Sequence, residues 1–263
     1  MSAATLRAGA RRRAWWQLGA ALALIAIAFL LFAQEEWWQR ALSALFPDQR
    51  RVLYGRTTLL ELAVQHVTIV AASLGVVLAI GVPLGVWLTR PGGREFLPLA
   101  NNVLAVLQTF PPVAVLALAV PAFGFGMKPT LIALVVYGLL PVARNTIVGL
   151  EGVPADALEA ARGMGMGPWQ RLLRVELPLA APVMLAGVRV SAVYTIGTAT
   201  VAPLIGAGGL GVPIIAGLAV SNLAMVIEGA VPVAMLALLV DHAVGTLGRA
   251  GVGAEPQGGS RPA

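Results

Sequence analysis

The chain has no cysteine, two histidines and a single lysine, Lys128, among its 263 residues. Without thiols there are no disulfides, no thiolate nucleophiles and no zinc–sulfur centres. Charge is scarce too, at 11% of residues, where soluble domains carry about a quarter. The histidines, His66 and His242, are far apart. His242 adjoins Asp241, but adjacent residues on a helix point in different directions and make no ready acid–base pair. No group of carboxylates has metal-ligand spacing, so no metal, cofactor or catalytic residue is expected. A membrane-bound enzyme stands as a poor second reading, because the carboxylate array it would need is missing. Nor is there a Walker-A loop, since Lys128 follows Met127 and precedes Pro129. Gly206, Gly208 and Gly211 in "GAGGLG" fit the dinucleotide fingerprint formally. With no strand before them, they read as a tight turn.

What is abundant is apolar: 58% of residues are hydrophobic and the mean hydropathy is +0.84. About 20 such residues in a row cross a bilayer. Six runs qualify: Trp15–Ala33, Val67–Leu88, Leu97–Val120, Met127–Gly149, Leu179–Ile205 and Gly229–Gly248. The fold class is an all-α polytopic membrane protein of about six transmembrane helices. The first run follows Arg11, Arg12 and Arg13 as a signal peptide would, but ends in Trp37 and Trp38 where a cleavage site needs small residues. It is a retained helix with tryptophans as interfacial anchors. Ile214–Ile227 is short for a span and reads as re-entrant or interfacial; if it crosses, the C-terminus moves outside.

The net charge of +6 is almost wholly arginine. In such a chain it signals orientation, and no nucleic-acid partner is expected. With the N-terminus inside, the inner loops and tails hold twelve arginines, Arg90, Arg94, Arg144, Arg162, Arg171 and Arg174 among them. The outer loops hold five basic residues, Arg40, Arg50, Arg51, Arg56 and Lys128. Both termini are therefore expected on the inner side of the plasma (inner) membrane, in contact with lipid.

One segment breaks the oily pattern. Glu151 to Pro178 carries seven charged residues, placed between the fourth and fifth spans and hence inside. "VPADALEAARG" reads as a short helix, with Pro154 at its start and Asp156 and Glu159 near the positive end of its dipole. Gly163, Gly165 and Gly167 offer a stop, and Pro168 restarts a helix with Trp169, Leu172 and Leu173 on one face. Physics alone leaves two readings, a loop lying on the membrane and a helix that docks on a partner.

Glu159-Ala160-Ala161, then Gly165, then Val175, Leu177 and Pro178 resemble the EAA signature of ABC-importer permeases, with Val175 where Ile is usual. The resemblance implies that residues 151–177 are the coupling loop that sits in a cleft of a separate ATPase subunit. "GVPLGVWLTR" (Gly81–Arg90), "LQTFPPVAVL" (Leu107–Leu116), "YGLLPVARNTIVGLEGV" (Tyr137–Val153), "GTATVAPLIGAGGLG" (Gly197–Gly211) and "LLVDHAVG" (Leu238–Gly245) are similar to one branch, the osmoprotectant permeases for glycine betaine, carnitine and choline. Pro112 replaces a usual Ser, and His242 a usual Phe or Leu. The similarity runs from about Thr57 to Arg249 and implies the methionine/maltose-type importer core. It also implies an ABC ATPase, a second permease subunit, identical or homologous, and an external substrate-binding protein. Another small solute, such as methionine or a betaine-like thiol compound, is the alternative substrate.

The expected division is residues 1–56 (inner N-terminus, first helix, outer loop), 57–250 (transmembrane domain) and 251–263 (tail). Polar groups inside the spans are candidates for a translocation path or gate. Ser191, Thr195 and Thr198 share one helix face. Gly187, Ser191, Thr195 and Ala199 also form a small-residue series of the kind that packs helices, and packing is the favoured reading. Arg189 is placed to pair with Asp241 or to snorkel. Gln108, Thr109, Pro111 and Pro112 interrupt the third span, which membranes tolerate where backbone lines a cavity or finds neighbours.

Overall fold

The computed structural model describes the backbone of residues 3–251 and the side chains of residues 16–248. Among them there is no strand, and the helices follow one another as α1 (Ala3–Phe32), α2 (Glu35–Leu45), α3 (Leu59–Leu88), α4 (Leu97–Leu107), α5 (Pro112–Phe123), α6 (Met127–Glu151), α7 (Ala155–Gly163), α8 (Pro168–Arg171), α9 (Leu177–Thr198), α10 (Gly211–Ala219) and α11 (Leu223–Gly251). Four described stretches are long and apolar enough to cross a membrane singly: Leu59–Leu88, Met127–Glu151, Pro168–Ile205 and Leu223–Gly248. Two further pairs reach that length only together and are sharply bent, Trp16–Phe32 with Glu35–Leu45 at 76° and Arg94–Thr109 with Pro112–Phe123 at 95°; counting each pair as one span gives six.

The helix starts follow from local chemistry. Thr58 caps α3, its hydroxyl accepting the N–H of Glu61 at 3.1 Å, and this Thr-x-x-Glu start explains why the helix begins at Leu59 rather than Val67. Asn222 caps α11 by accepting the N–H of Met225 at 3.2 Å. Just before it, the chain reverses at Ser221 with φ 53°. Ile214–Ile227 is accordingly no span: it divides between the nine-residue α10 and the first turn of α11, and nine helical residues reach only about 13 Å. The expected anchor pair Trp37–Trp38 also divides. Trp37 stays exposed, whereas Trp38 turns into the core and donates its indole N–H to the Leu31 carbonyl at 3.0 Å.

α6 lies between α3 and α9, and small residues let the backbones close in. A methyl group at Gly85 would meet Thr146 of α6 at 2.6 Å, and one at Gly187 would meet Asn145 at 2.5 Å. Without a hydrophobic drive between helices in lipid, such close packing is what holds them together. Each of α3, α6, α9 and α11 has an internal proline, Pro83, Pro141, Pro182 and Pro232.

The helices alternate in direction, which defines two faces. Arg90, Arg94, Glu151 and Glu176 gather on one, here the Arg90 face. Gln65 at the start of α3 accepts the N–H of Gly209 beyond α9 at 3.1 Å, and Asn222 donates to the Arg51 carbonyl at 2.7 Å, marking the opposite, Gln65 face. α1 runs toward the Gln65 face and α11 away from it, so both described chain ends lie on the Arg90 face. The tail expected over 251–263 falls, after Gly251, outside the described residues.

Candidate coupling segment and translocation path

The segment 151–177 hangs from the Arg90 face. α7 begins after Pro154 and presents Glu159 and Ala160 to solvent, while Ala161 is fully buried. It ends in a Schellman turn. Gly165 donates its N–H to the Arg162 carbonyl at 2.9 Å, and Met166 donates to Ala161 at 3.1 Å. Gly165 stands at the left-handed position with φ +76°, yet a Cβ there would touch nothing within 4 Å. The glycine is thus required by backbone conformation, with no crowding involved.

Beyond Gly167 the sequence expectation and the structure part company. Pro168 does start a helix, but not a separate one: α8, a widened turn at Leu172–Glu176 and α9 run on as one stretch, Pro168–Ile205. Nor do its three apolar residues share a face, since Leu172 is buried while Trp169 and Leu173 are exposed. Pro178 accounts for the widened turn. It has no N–H for the carbonyl four residues back, and its ring crowds that carbonyl. The ladder slips by one, and Leu177 donates to Leu172 in a π-helical register.

That turn buries Glu176 at 5% exposure. Its carboxylate accepts from the Arg90 guanidinium at 2.5 Å and from Arg171 Nε at 3.1 Å. Val175 and Leu177 on either side are half-buried, and Pro178 is exposed. Around them, Leu150, Val153, Leu172 and Ala180 form an apolar cluster against Val86 and Leu158. The base of the segment is therefore fixed to the ends of α3 and α6, while α7 and Trp169 face outward.

Within the bundle, the break in the third span is clamped to α6. Gln108 donates to the Tyr137 carbonyl at 3.1 Å, and the Tyr137 hydroxyl donates to the Phe110 carbonyl. Thr109 turns back on Val106 at 2.7 Å, and Pro111 leads extended into α5. The carbonyls freed at the bend thus find side-chain partners, as an irregular stretch in a membrane requires. Tyr194 of α9 lies against Tyr137, ring centres 5.9 Å apart, and remains 46% exposed.

Ser191 donates to the Gly138 carbonyl at 2.9 Å, and Thr195 is buried beside the same glycine. Both sit in the α6–α9 seam, and Thr198, at the end of α9, is half-buried. Arg189 grips Asp241 of α11 with two bonds of 2.5 Å. Gly245, one turn further along α11, lies beside the guanidinium, and a methyl there would make only ordinary contact with it at 3.5 Å. His66 is wholly buried on α3, its Nε2 3.1 Å from the Ile196 carbonyl, where α9 tightens into the narrower helix of Ala199–Ile205.

Residues 81–250 match the family described as binding-protein-dependent transport system inner membrane component. The chain belongs to this family. It is a multi-pass inner-membrane permease subunit of the ABC-importer type, a transport component rather than an enzyme. This permease is 45% identical over 184 residues to the carnitine transport permease protein OpuCB of Listeria monocytogenes, covering 70% of this chain and 83% of that protein. It is 45% identical over 182 residues to the choline transport system permease protein OpuBB of Bacillus subtilis, covering 68% and 81%. To the osmoprotectant import permease protein OsmY of Salmonella typhimurium it is 42% identical over 191 residues, covering 73% and 81%. Its fold resembles a chain of the MetNI methionine ABC transporter in an inward-facing conformation, with TM-score 0.63, 23% identity and coverage of 72% and 93%.

Two parts of the permease's site had no strong sequence signal. Glu176 occupies the position between Val175 and Leu177 that the signature leaves unspecified, and nothing local announces Arg90 as its partner. Tyr137 reads as one of a few scattered aromatics until α6 brings its hydroxyl to Phe110.

Proposed function

We propose that this permease forms the membrane path of an ATP-driven importer for an osmoprotectant such as glycine betaine, carnitine or choline. The observation that carries the reading is its 45% identity to permeases for carnitine and choline. The energy comes from a separate ABC ATPase. That ATPase docks on residues 151–177 at the Arg90 face, which is cytoplasmic, as are both termini. Supporting this docking are the solvent-facing Glu159, Ala160 and Trp169 on a segment whose base Glu176 anchors. A second permease, identical or homologous, completes the path, and an external binding protein delivers solute to the Gln65 face.

The bend at Gln108–Pro111 and the Arg189–Asp241 pair belong to the path or its gate in this reading. Their polar groups lie within spans, where uncompensated polarity is costly. Ser191 and Thr195 act as packing residues that hold α9 to α6.

The test is reconstitution. Proteoliposomes holding the permease, its ATPase and its binding protein should take up labelled glycine betaine, carnitine or choline only when ATP is inside. An assembled complex that hydrolyses ATP and moves none of the three overturns the substrate assignment.

A further inference from the structure

The Gln65 face carries a built cavity that the transport path above does not use. It has a volume of about 250 Å³ and lies between the start of α2, the connection 53–58 and the first turns of α3 and α11. Its walls include Trp38, Arg56 and three carboxylates, Glu35, Glu61 and Glu228. Two side chains at the start of α11, its cap Asn222 and Glu228, strap the connection and the segment leading into it down over the cavity. Asn222 donates to the Arg51 carbonyl at 2.7 Å, and Glu228 accepts the Tyr54 N–H at 2.8 Å.

Glu228 is the unusual member. It is 3% exposed, its described hydrogen bond uses only Oε2, and no described cation pairs with it. A buried carboxylate without a paired cation is expensive to ionise, so a cation entering the cavity would offset that cost and favour the ionised form. A metal ion suits the site poorly, because no three carboxylates or histidines among the described residues come close enough to hold one. A bulky, weakly hydrated organic cation suits it better. The cavity is roomy, the carboxylates stand on separate walls, and an indole offers the aromatic surface such cations favour.

We infer that this cavity is a binding site for small quaternary ammonium solutes at the outward face of the permease. Glu228 attracts the cationic head beside Trp38, and Arg56 receives the carboxylate of those solutes that have one. The choice of solute class and the outward placement rest on the transport reading above; the cavity and its charges do not.

Equilibrium binding of labelled choline and glycine betaine to the purified permease–ATPase complex, without binding protein, tests the site. Glu228→Gln keeps an acceptor for the Tyr54 N–H, so the fold is preserved while the charge is lost. It should weaken both ligands by about tenfold or more, the scale of a lost charge-assisted contact. Arg56→Ala, at an exposed position, should weaken glycine betaine and spare choline. No saturable binding to the wild-type complex, unchanged binding in Glu228→Gln, or equal effects of Arg56→Ala on the two ligands each overturns the site. Uptake in the presence of binding protein is measured alongside. Uptake with binding that ignores Glu228 sinks the site and leaves the transport function standing. Binding that depends on Glu228 without any uptake does the reverse.

Discussion

Arg90 and Glu176 are 86 positions apart in the chain and meet at 2.5 Å, where the end of α3 reaches the turn that precedes α9. Arg171 closes on the other carboxylate oxygen. Glu176→Ala therefore leaves two guanidinium groups facing each other without their anion. The expected cost is ~1–3 kcal/mol, below the range for fully buried pairs because Arg90 is a third exposed. Limited proteolysis should cut residues 155–171 faster in the variant, while the protein remains inserted. Glu176→Gln should fall between it and wild type.

Gly165 separates two explanations for its presence in the loop. If steric room were needed, any side chain would do equal harm. Because φ is +76° and space is open, harm should follow the cost of the left-handed conformation: Asn mild, Ala about 1 kcal/mol, Val more. The amount of ATPase that co-purifies with each variant should fall in that order. Equal losses would refute the conformational account.

Glu159 is exposed on α7, so Glu159→Lys should leave membrane abundance near wild type. If its carboxylate contacts the ATPase, recruitment and solute uptake should drop together. A lost charged hydrogen bond costs about 1.5–3 kcal/mol, which is one to two powers of ten in association. Normal recruitment in this variant would return the segment to an ordinary surface loop.

Orientation can be read directly because the chain has no cysteine of its own. An impermeant maleimide applied to intact cells should label Gln49→Cys and leave Gln170→Cys untouched until the membrane is opened. The opposite pattern would place the Arg90 face outside.

For the Arg189–Asp241 pair, each single change to Ala leaves the other charge of the span without its partner. The double change strands none. The singles should lower the yield of folded, membrane-extracted permease more than the double does, a coupling that a double-mutant cycle measures. Additive losses would show that the two groups stabilise the fold independently.

The all-α membrane plan was legible because it depends on hydrophobic runs, although two of the six runs, the first and the third, are sharply bent pairs; the charged segment 151–177 stood out by its spacing. Gly165 as the turn and Arg189 with Asp241 as a pair could be read the same way, since helix geometry converts spacing into position. What sequence could not supply was direction across the bundle. Ser191 and Thr195 have an obvious face, but only the neighbour decides what that face meets, and the neighbour is Gly138. The break at Gln108–Pro111 was visible, whereas its clamp by Tyr137 was not. Glu176 was hidden twice over, by a partner far along the chain and by a proline whose effect is to slip the helix register one residue upstream.

That slipped register has a mechanical consequence. Because α8, the widened turn and α9 are continuous from Pro168 to Ile205, Trp169 sits on the handle of a rod roughly 60 Å long. The helical run is unbroken before Gly206, so a tug at the handle is carried along it. It arrives near the far tip, where His66 of α3 meets the Ile196 carbonyl and Gln65 holds Gly209 just past the end of the rod. α7, by contrast, joins the handle through the three-residue knuckle Gly165, Met166 and Gly167, with its Leu158 resting on the apolar cluster around Leu172. Stiffening that knuckle and softening the rod should therefore have opposite effects on how far a push travels.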